Sequence, residues 1–153
     1  MLFRSSGAGA LNGAGTVDNS TGVATYTLTI AGNGNSGSFS GIIKNTSGTV
    51  ALTKAGAGSQ ILSGVNAYAG NTIISAGTLQ LGVANTLPAA SSVLVSSGAT
   101  LDMNSQSDTV AALGGSGSVI NNNGALTVNG DAATVLTQNF NGFSCIEIGR
   151  AHV

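Results

Sequence analysis

The sequence has no tryptophan, one proline, one cysteine and one histidine, and only 6% of its 153 residues are charged. Each scarcity excludes something. A lone Cys145 permits neither an internal disulfide nor a multi-cysteine metal site. Charge lies far below the roughly 25% usual for soluble domains. With so little charge or proline to hold it open, the chain does not read as disordered either. Mean hydropathy is positive, at +0.34, yet no apolar run approaches the ~18 residues a membrane span needs. The apolar groups are short, such as Ile73-Ile74 and Val93-Leu94-Val95. The start lacks the basic region, apolar core and small-residue cleavage site of a secretory signal. A net charge of −1, with Lys44 and Lys54 the only lysines, argues against nucleic acid as a partner. What is present is glycine, 24 residues of it, with Ser, Thr and Asn to keep the chain soluble. Ordered β-structure with polar, uncharged faces fits that balance.

The two ends read differently from the rest. As codons, GTG-CTC-TTC-CGA-TCT encodes Met1-Leu2-Phe3-Arg4-Ser5 when GTG serves as a start. Its reverse complement begins the codons of Ile148-Gly149-Arg150-Ala151-His152-Val153. Both ends resemble the two orientations of one short-read sequencing adapter, so 1–5 and 147–153 are set aside from fold and function. Arg4, Arg150, His152 and Glu147 leave with them. The remaining body, 6–146, keeps Lys44, Lys54, Asp18, Asp102, Asp108 and Asp131, and is expected to be an internal piece of a longer protein.

That body repeats itself. Leu11-Asn12-Gly13-Ala14-Gly15-Thr16-Val17 returns 102 residues later as Leu113-Gly114-Gly115-Ser116-Gly117-Ser118-Val119. Leu28-Thr29-Ile30 answers to Leu126-Thr127-Val128, and Phe39-Ser40-Gly41 to Phe140-Asn141-Gly142, so that 11–41 matches 113–142. A unit that recurs with small insertions implies stacked modules rather than one globule with one cleft.

Short strands are expected at Thr25–Ile30, Gly48–Lys54, Ser59–Ser63, Thr72–Ser75, Thr78–Leu81, Ser92–Val95, Thr100–Met103, Val110–Leu113, Ser118–Ile120 and Ala125–Val128. Gly, Asn or Ser separates nearly all of them. Val83–Ala90 has room for one short turn before or around Pro88. Val50 and Leu52 share one face, opposite Thr49, Ala51 and Thr53; Leu79 and Leu81, then Leu101 and Met103, do the same. One apolar and one polar face suit strands wrapped around a thin core. A closed β-sandwich and a β-solenoid both offer this, and the repeat and low charge favour the solenoid. At roughly 20–25 residues per coil the body makes ~6 coils, a stub ~30 Å tall at ~4.8 Å per coil.

The run from Leu52-Thr53-Lys54-Ala55-Gly56 through Leu62-Ser63-Gly64-Val65-Asn66-Ala67-Tyr68-Ala69-Gly70 to Gly77-Thr78-Leu79-Gln80-Leu81-Gly82 resembles the autotransporter-associated β-strand repeat of passenger domains. Every fixed position of that family's pattern is filled, and Gly98-Ala99-Thr100-Leu101-Asp102 and Phe39-Ser40-Gly41 also look like family elements. The resemblance implies an all-β, right-handed parallel β-helix stalk. It also implies export to the surface of a Gram-negative bacterium through a C-terminal outer-membrane barrel, which this sequence does not contain. On that reading Leu62, Ile73 or Ile74, Leu79 and Leu81 fill the interior, and Gly56, Gly58, Gly64, Gly70 and Gly77 turn corners. Asn66 is expected at a corner, where it can stack on asparagines of adjacent coils, and Tyr68 is expected to cover an edge, with a ligand contact as the alternative.

Catalytic chemistry finds little to use. The body has no histidine to serve as a base. Gly13-Ala14-Gly15, Gly56-Ala57-Gly58 and Gly115-Ser116-Gly117 are bare triplets without a phosphate loop's Lys-Ser/Thr, and no calcium-binding repeat is present. A glycosidase needs two carboxyls flanking one bond. Asp102 belongs on the outer face of a strand, Asp108 in a Ser/Asn/Gln loop, Asp131 replaces Asn33 as a turn residue, and Asp18 has Ile120 as counterpart. Thr25, Thr27 and Thr29 hint at an ice-binding face, but the second copy keeps only Thr127. The sequons at Asn19 and Asn45 matter only in a glycosylating host. The expectation is a non-catalytic stalk with no cofactor, metal or membrane span of its own. Adjacent coils are its first partners, and glycans or a host surface the external candidates. A glycan-binding adhesin module or part of a polysaccharide-active β-helix enzyme are the alternatives, and the expected location is the cell surface or the medium.

Overall fold

The computed structural model describes residues 9–130, together with the backbone of 139–141 and 146–148. The sequence-based division into 1–5, 6–146 and 147–153 falls largely outside those residues at both ends, as do Asp131 and Cys145.

The described residues wind as a parallel β-solenoid of about five turns. At ~4.8 Å per turn the stack is ~24 Å tall. No helix occurs among the described residues, and 83–90 crosses as turns.

Three walls run up the stack. The first contains β3 (Gly37–Phe39), β6 (Ser59–Leu62), β8 (Thr78–Leu81), β10 (Thr100–Asp102), β13 (Ser118–Ile120) and β15 (Asn139–Asn141). The third contains β2 (Thr25–Ile30), β5 (Thr49–Lys54), β7 (Thr72–Ile74), β9 (Ser92–Val95) and β12 (Ala112–Gly115). The second is interrupted. It opens with β1 (Thr16–Asn19) on β4 (Ile42–Asn45) and closes with β11 (Asp108–Val110), β14 (Leu126–Val128) and β16 (Ile146–Ile148). Segments 64–70 and 83–90 cross between them. A bridge from Lys44 to Ala67, the Asn66 amide to Thr86 O and the Asn85 amide to Ser107 O carry the wall through.

Every pairing is parallel, and the turns vary from 18 residues (Thr100 to Ser118) to 26 (Thr16 to Ile42). Alternation puts one column of side chains inside for each register position. Leu28, Leu52, Thr72, Val93 and Leu113 stack on the third wall; Leu79, Leu101 and Val119 stack on the first. All are buried. Each buried Leu or Val contributes roughly 1.5–3 kcal/mol, so a short turn without a core of its own is held by its neighbours. Ile74 is the inward isoleucine and Ile73 is exposed.

Corners are set by steric exclusion. Gly56 and Gly77 sit at φ +67° and +65°, a region side chains avoid. A Cβ on Gly64 would collide with the carbonyl of Gly41 in the turn before it. One corner carries no such signal: the stretch expected as one strand, Val110–Leu113, bends at Ala111, with β11 on the second wall and β12 on the third.

The 102-residue self-similarity does not span a whole number of turns. Gly13 bridges to Phe39 on the first wall, whereas the matching Leu113-Gly114-Gly115 is β12 on the third. Val17 is on the second wall and Val119 on the first; Leu28 is on the third and Leu126 on the second. The copies lie one wall apart around the axis, until Phe39 and Phe140 share the first wall. The recurring unit is a strand with its corner. The three walls accept it interchangeably because each asks only for an inward apolar residue and a small corner.

Candidate functional site

The polar residues inside the core are where function would have to begin. Lys54 ends β5 with its side chain inside the stack, between Ile30 and Ile74 in the column. Its Nζ donates to Ala55 O and Gly56 O, each at 2.8 Å, and to Ala76 O of the next turn at 3.0 Å. All three ammonium protons are thereby used, and burial pulls the lysine below its ordinary range. Lys54 closes a corner at which the carbonyls of Ala55, Gly56 and Ala76 point at its ammonium group. Only the unbroken alternation Val50, Leu52, Lys54 could have disclosed that the lysine points in.

Asn66 does not stack on other asparagines. Its Oδ1 accepts from the Ile43 amide at 2.8 Å, and its Nδ2 donates to Gly64 O at 3.1 Å and Thr86 O at 2.8 Å. It thus replaces the ladder bonds missing between β4 and segment 83–90. Tyr68 covers no edge either; it is 1% exposed. Its hydroxyl lies 2.7 Å from Thr72 Oγ1, which lies 3.1 Å from Ser91 Oγ, and Ser91 donates to Gly70 O at 3.0 Å. Burial raises the phenol well above its usual pKa.

The acids are placed apart. Asp18 lies on β1 in register with Lys44, 3.6 Å from its Nζ, and accepts from the Thr46 hydroxyl at 2.7 Å and amide at 2.9 Å. The Thr46 hydroxyl is the main reason its pKa is lowered. Asp102 faces outward on the first wall, as expected, taking bonds from Gln80 Nε2 at 2.7 Å and the Asn104 amide at 2.9 Å. Asp108, expected in a loop, starts β11 and is 3% exposed. Leu87 N at 2.9 Å and Thr109 N at 2.8 Å donate to its two oxygens. Burial pushes its carboxyl up to about 6 against those bonds. The outward Asp102 and inward Asp108 share no space, so they do not flank a common bond. Among the described residues no group of His, Cys, Asp or Glu is placed to hold a metal.

The outer surface of the third wall is the other candidate. Thr25, Thr27 and Thr29 stand over Thr49, Ala51 and Thr53. The third row then changes from Thr53 to Ile73, Leu94 and Gly114, so the threonine array is two turns deep. Where Gly114 offers no side chain, Asn71, Ile73, Ser92, Leu94 and Ala112 border an open hollow of about 320 Å³. Aliphatic contact with an amide and a hydroxyl at the rim can hold a ligand; nothing there transfers a proton.

Comparison with known proteins agrees with the stack. Residues 52–81 match the family model of the passenger-associated-transport-repeat. The adhesin BmaC autotransporter of Brucella suis biovar 1 (strain 1330) is 38% identical over 88 residues, 57% of this chain. The chain spans about 3% of that relative's length. No solved structure matches the chain significantly. The matched segment holds the features that make the solenoid close, from Lys54 at one corner through Asn66 and Tyr68 to Leu81 in the core, so the residues similar to the passenger-associated-transport-repeat are set within a parallel β-solenoid.

Proposed function

We propose that this chain is a non-catalytic stalk segment of an autotransporter-like passenger, holding adhesive or other distal domains away from the surface of a Gram-negative bacterium, outside the outer membrane. The observation that carries the reading is the use made of the polar interior. Lys54, Asn66, Tyr68 and Asp108 are all spent on hydrogen bonds within or between turns, as spacing and stiffness require. The test is display and adhesion by the parent protein. Asp18→Asn, Asp102→Asn and Asp108→Asn together with Asp131→Asn should leave both largely intact, whereas Leu79→Asp should abolish display. Loss of activity in a folded, displayed Asp variant would replace the stalk with a carboxylate site.

A second reading is favoured by the hollow between Ile73 and Leu94 and by the relative, itself an adhesin. The third wall would then bind glycan or host matrix directly. Ile73→Ser with Leu94→Ser, both outward-facing, should reduce adhesion at unchanged display on this reading and leave it unchanged if the segment is only a spacer.

A further inference from the structure

Resting on the direct-adhesion reading of the third wall, we propose that its hollow binds a neutral pyranose, one sugar unit of an uncharged glycan. Register builds the site. Leu52 pairs with Thr72 and Thr72 with Val93, so Asn71 and Ser92 stand one above the other at the ~4.8 Å rise of a turn. Ile73 and Leu94 are stacked in the same way two residues further along, roughly 6–7 Å away. Ala112 and Gly114 continue the two columns with little side chain or none, which leaves the hollow open there. Its volume of about 320 Å³ is at the small end of ligand sites, roughly 300–1,000 Å³, and suits a single ring. Two polar groups line one side of it and two aliphatic groups the other.

The chemistry selects a sugar. Asn71 is exposed and Ser92 half-buried, and no hydrogen bond among the described residues uses either side chain. The fold engages their carbonyls instead, Asn71 O accepting from the Leu52 amide at 2.9 Å and Ser92 O from the Ser91 hydroxyl at 3.5 Å. The free amide and the free hydroxyl can each donate and accept, as sugar hydroxyls do. Ile73 and Leu94, 36% and 45% exposed, offer apolar contact to the C–H face of the ring. No outward residue of β2, β5, β7, β9 or β12 is ionisable, and Lys54 turns its ammonium into the core. An acidic sugar would lose hydration here without meeting a counter-charge. A peptide strand fits less well, because the main chain of this wall is spent on its own parallel ladder and leaves no edge for the peptide to join.

The test uses the parent protein displayed on cells and a panel of trisaccharides, neutral ones ending in glucose, galactose, mannose or N-acetylglucosamine and acidic ones ending in a uronic or sialic acid. A neutral member should bind, and more tightly than every acidic one. Asn71→Ala with Ser92→Ala should weaken that binding by about tenfold at unchanged display, and Gly114→Leu, which fills the hollow, should abolish it. Binding by no neutral member, equal or tighter binding of an acidic one, or indifference to the Asn71 and Ser92 changes overturns the proposal. Adhesion to host matrix then separates the sugar from direct adhesion in general. Adhesion that is lost in Ile73→Ser with Leu94→Ser, yet survives periodate oxidation of the matrix glycans, means that the wall holds protein and that the sugar is wrong. Adhesion untouched by Ile73→Ser with Leu94→Ser removes direct adhesion itself.

Discussion

Gln60 and Leu11 are joined by two hydrogen bonds that imitate a β-bridge across 49 residues. The Leu11 amide donates to Gln60 Oε1 at 2.9 Å, and Gln60 Nε2 donates to Leu11 O at 2.7 Å. The glutamine is fully buried and reaches past Gly37, its register neighbour, where a Cβ would meet Leu11 O at 2.9 Å. A side-chain amide has the same donor and acceptor as a peptide, so it can tie a strandless segment to the stack.

Replacing Gln60 by Leu should therefore loosen the first turn selectively. The Leu11 amide and carbonyl lose their partners at a cost of about 1–3 kcal/mol. Exchange at Leu11 should accelerate while that at Leu79 and Leu101 stays slow. Equal acceleration at all three sites would show that Gln60 supports the whole stack instead.

Lys54→Met keeps the length of the side chain and removes its three hydrogen bonds. Ala55 O, Gly56 O and Ala76 O are left facing an apolar group, and denaturant unfolding should register a loss of about 1–3 kcal/mol. A variant as stable as the wild type would mean that water satisfies these carbonyls.

Leu79→Asp places a carboxylate in the column between Gln60 and Leu101. An unpaired charge there costs several kcal/mol, enough to unfold a marginally stable stack. Loss of the β-type circular dichroism signal at neutral pH is the expected result; a native spectrum would show that water enters the core.

Asp18 and Asp108 should bend the stability profile in opposite directions. Asp108 has a folded pKa raised above its ordinary value, so its contribution is greatest in acid and is lost as pH rises from about 4 through 6. Asp18 has a lowered one, so its contribution is present at neutral pH and is lost as pH falls. Asp18 is only partly buried and its neighbours are open to solvent, so its effect should be small. The stability difference between wild type and Asp108→Asn should change by as much as about 3 kcal/mol between pH 4 and 7.5. Urea titrations at several pH values measure both, and a difference independent of pH would show that Asp108 keeps its ordinary pKa.

The sequence alone determined the class of this protein. Alternation such as Val50, Leu52 against Thr49, Ala51, Thr53 forces one face inward, and glycine spacing forces corners, because both act through neighbours in the chain. Leu79, Leu81, Leu101 and Met103 were legible as core on that basis. Only the tertiary structure decided what the polar exceptions do. Asn66 bonds to Ile43 and Thr86, and Asp108 bonds to Leu87 across 21 residues. Which residue lies above another depends on turn lengths that vary from 18 to 26 residues, and local pattern does not carry that register. The shift of the 102-residue repeat by one wall has the same origin. Local chemistry specifies a strand and a corner, and the accumulated length of the turns decides which wall they occupy.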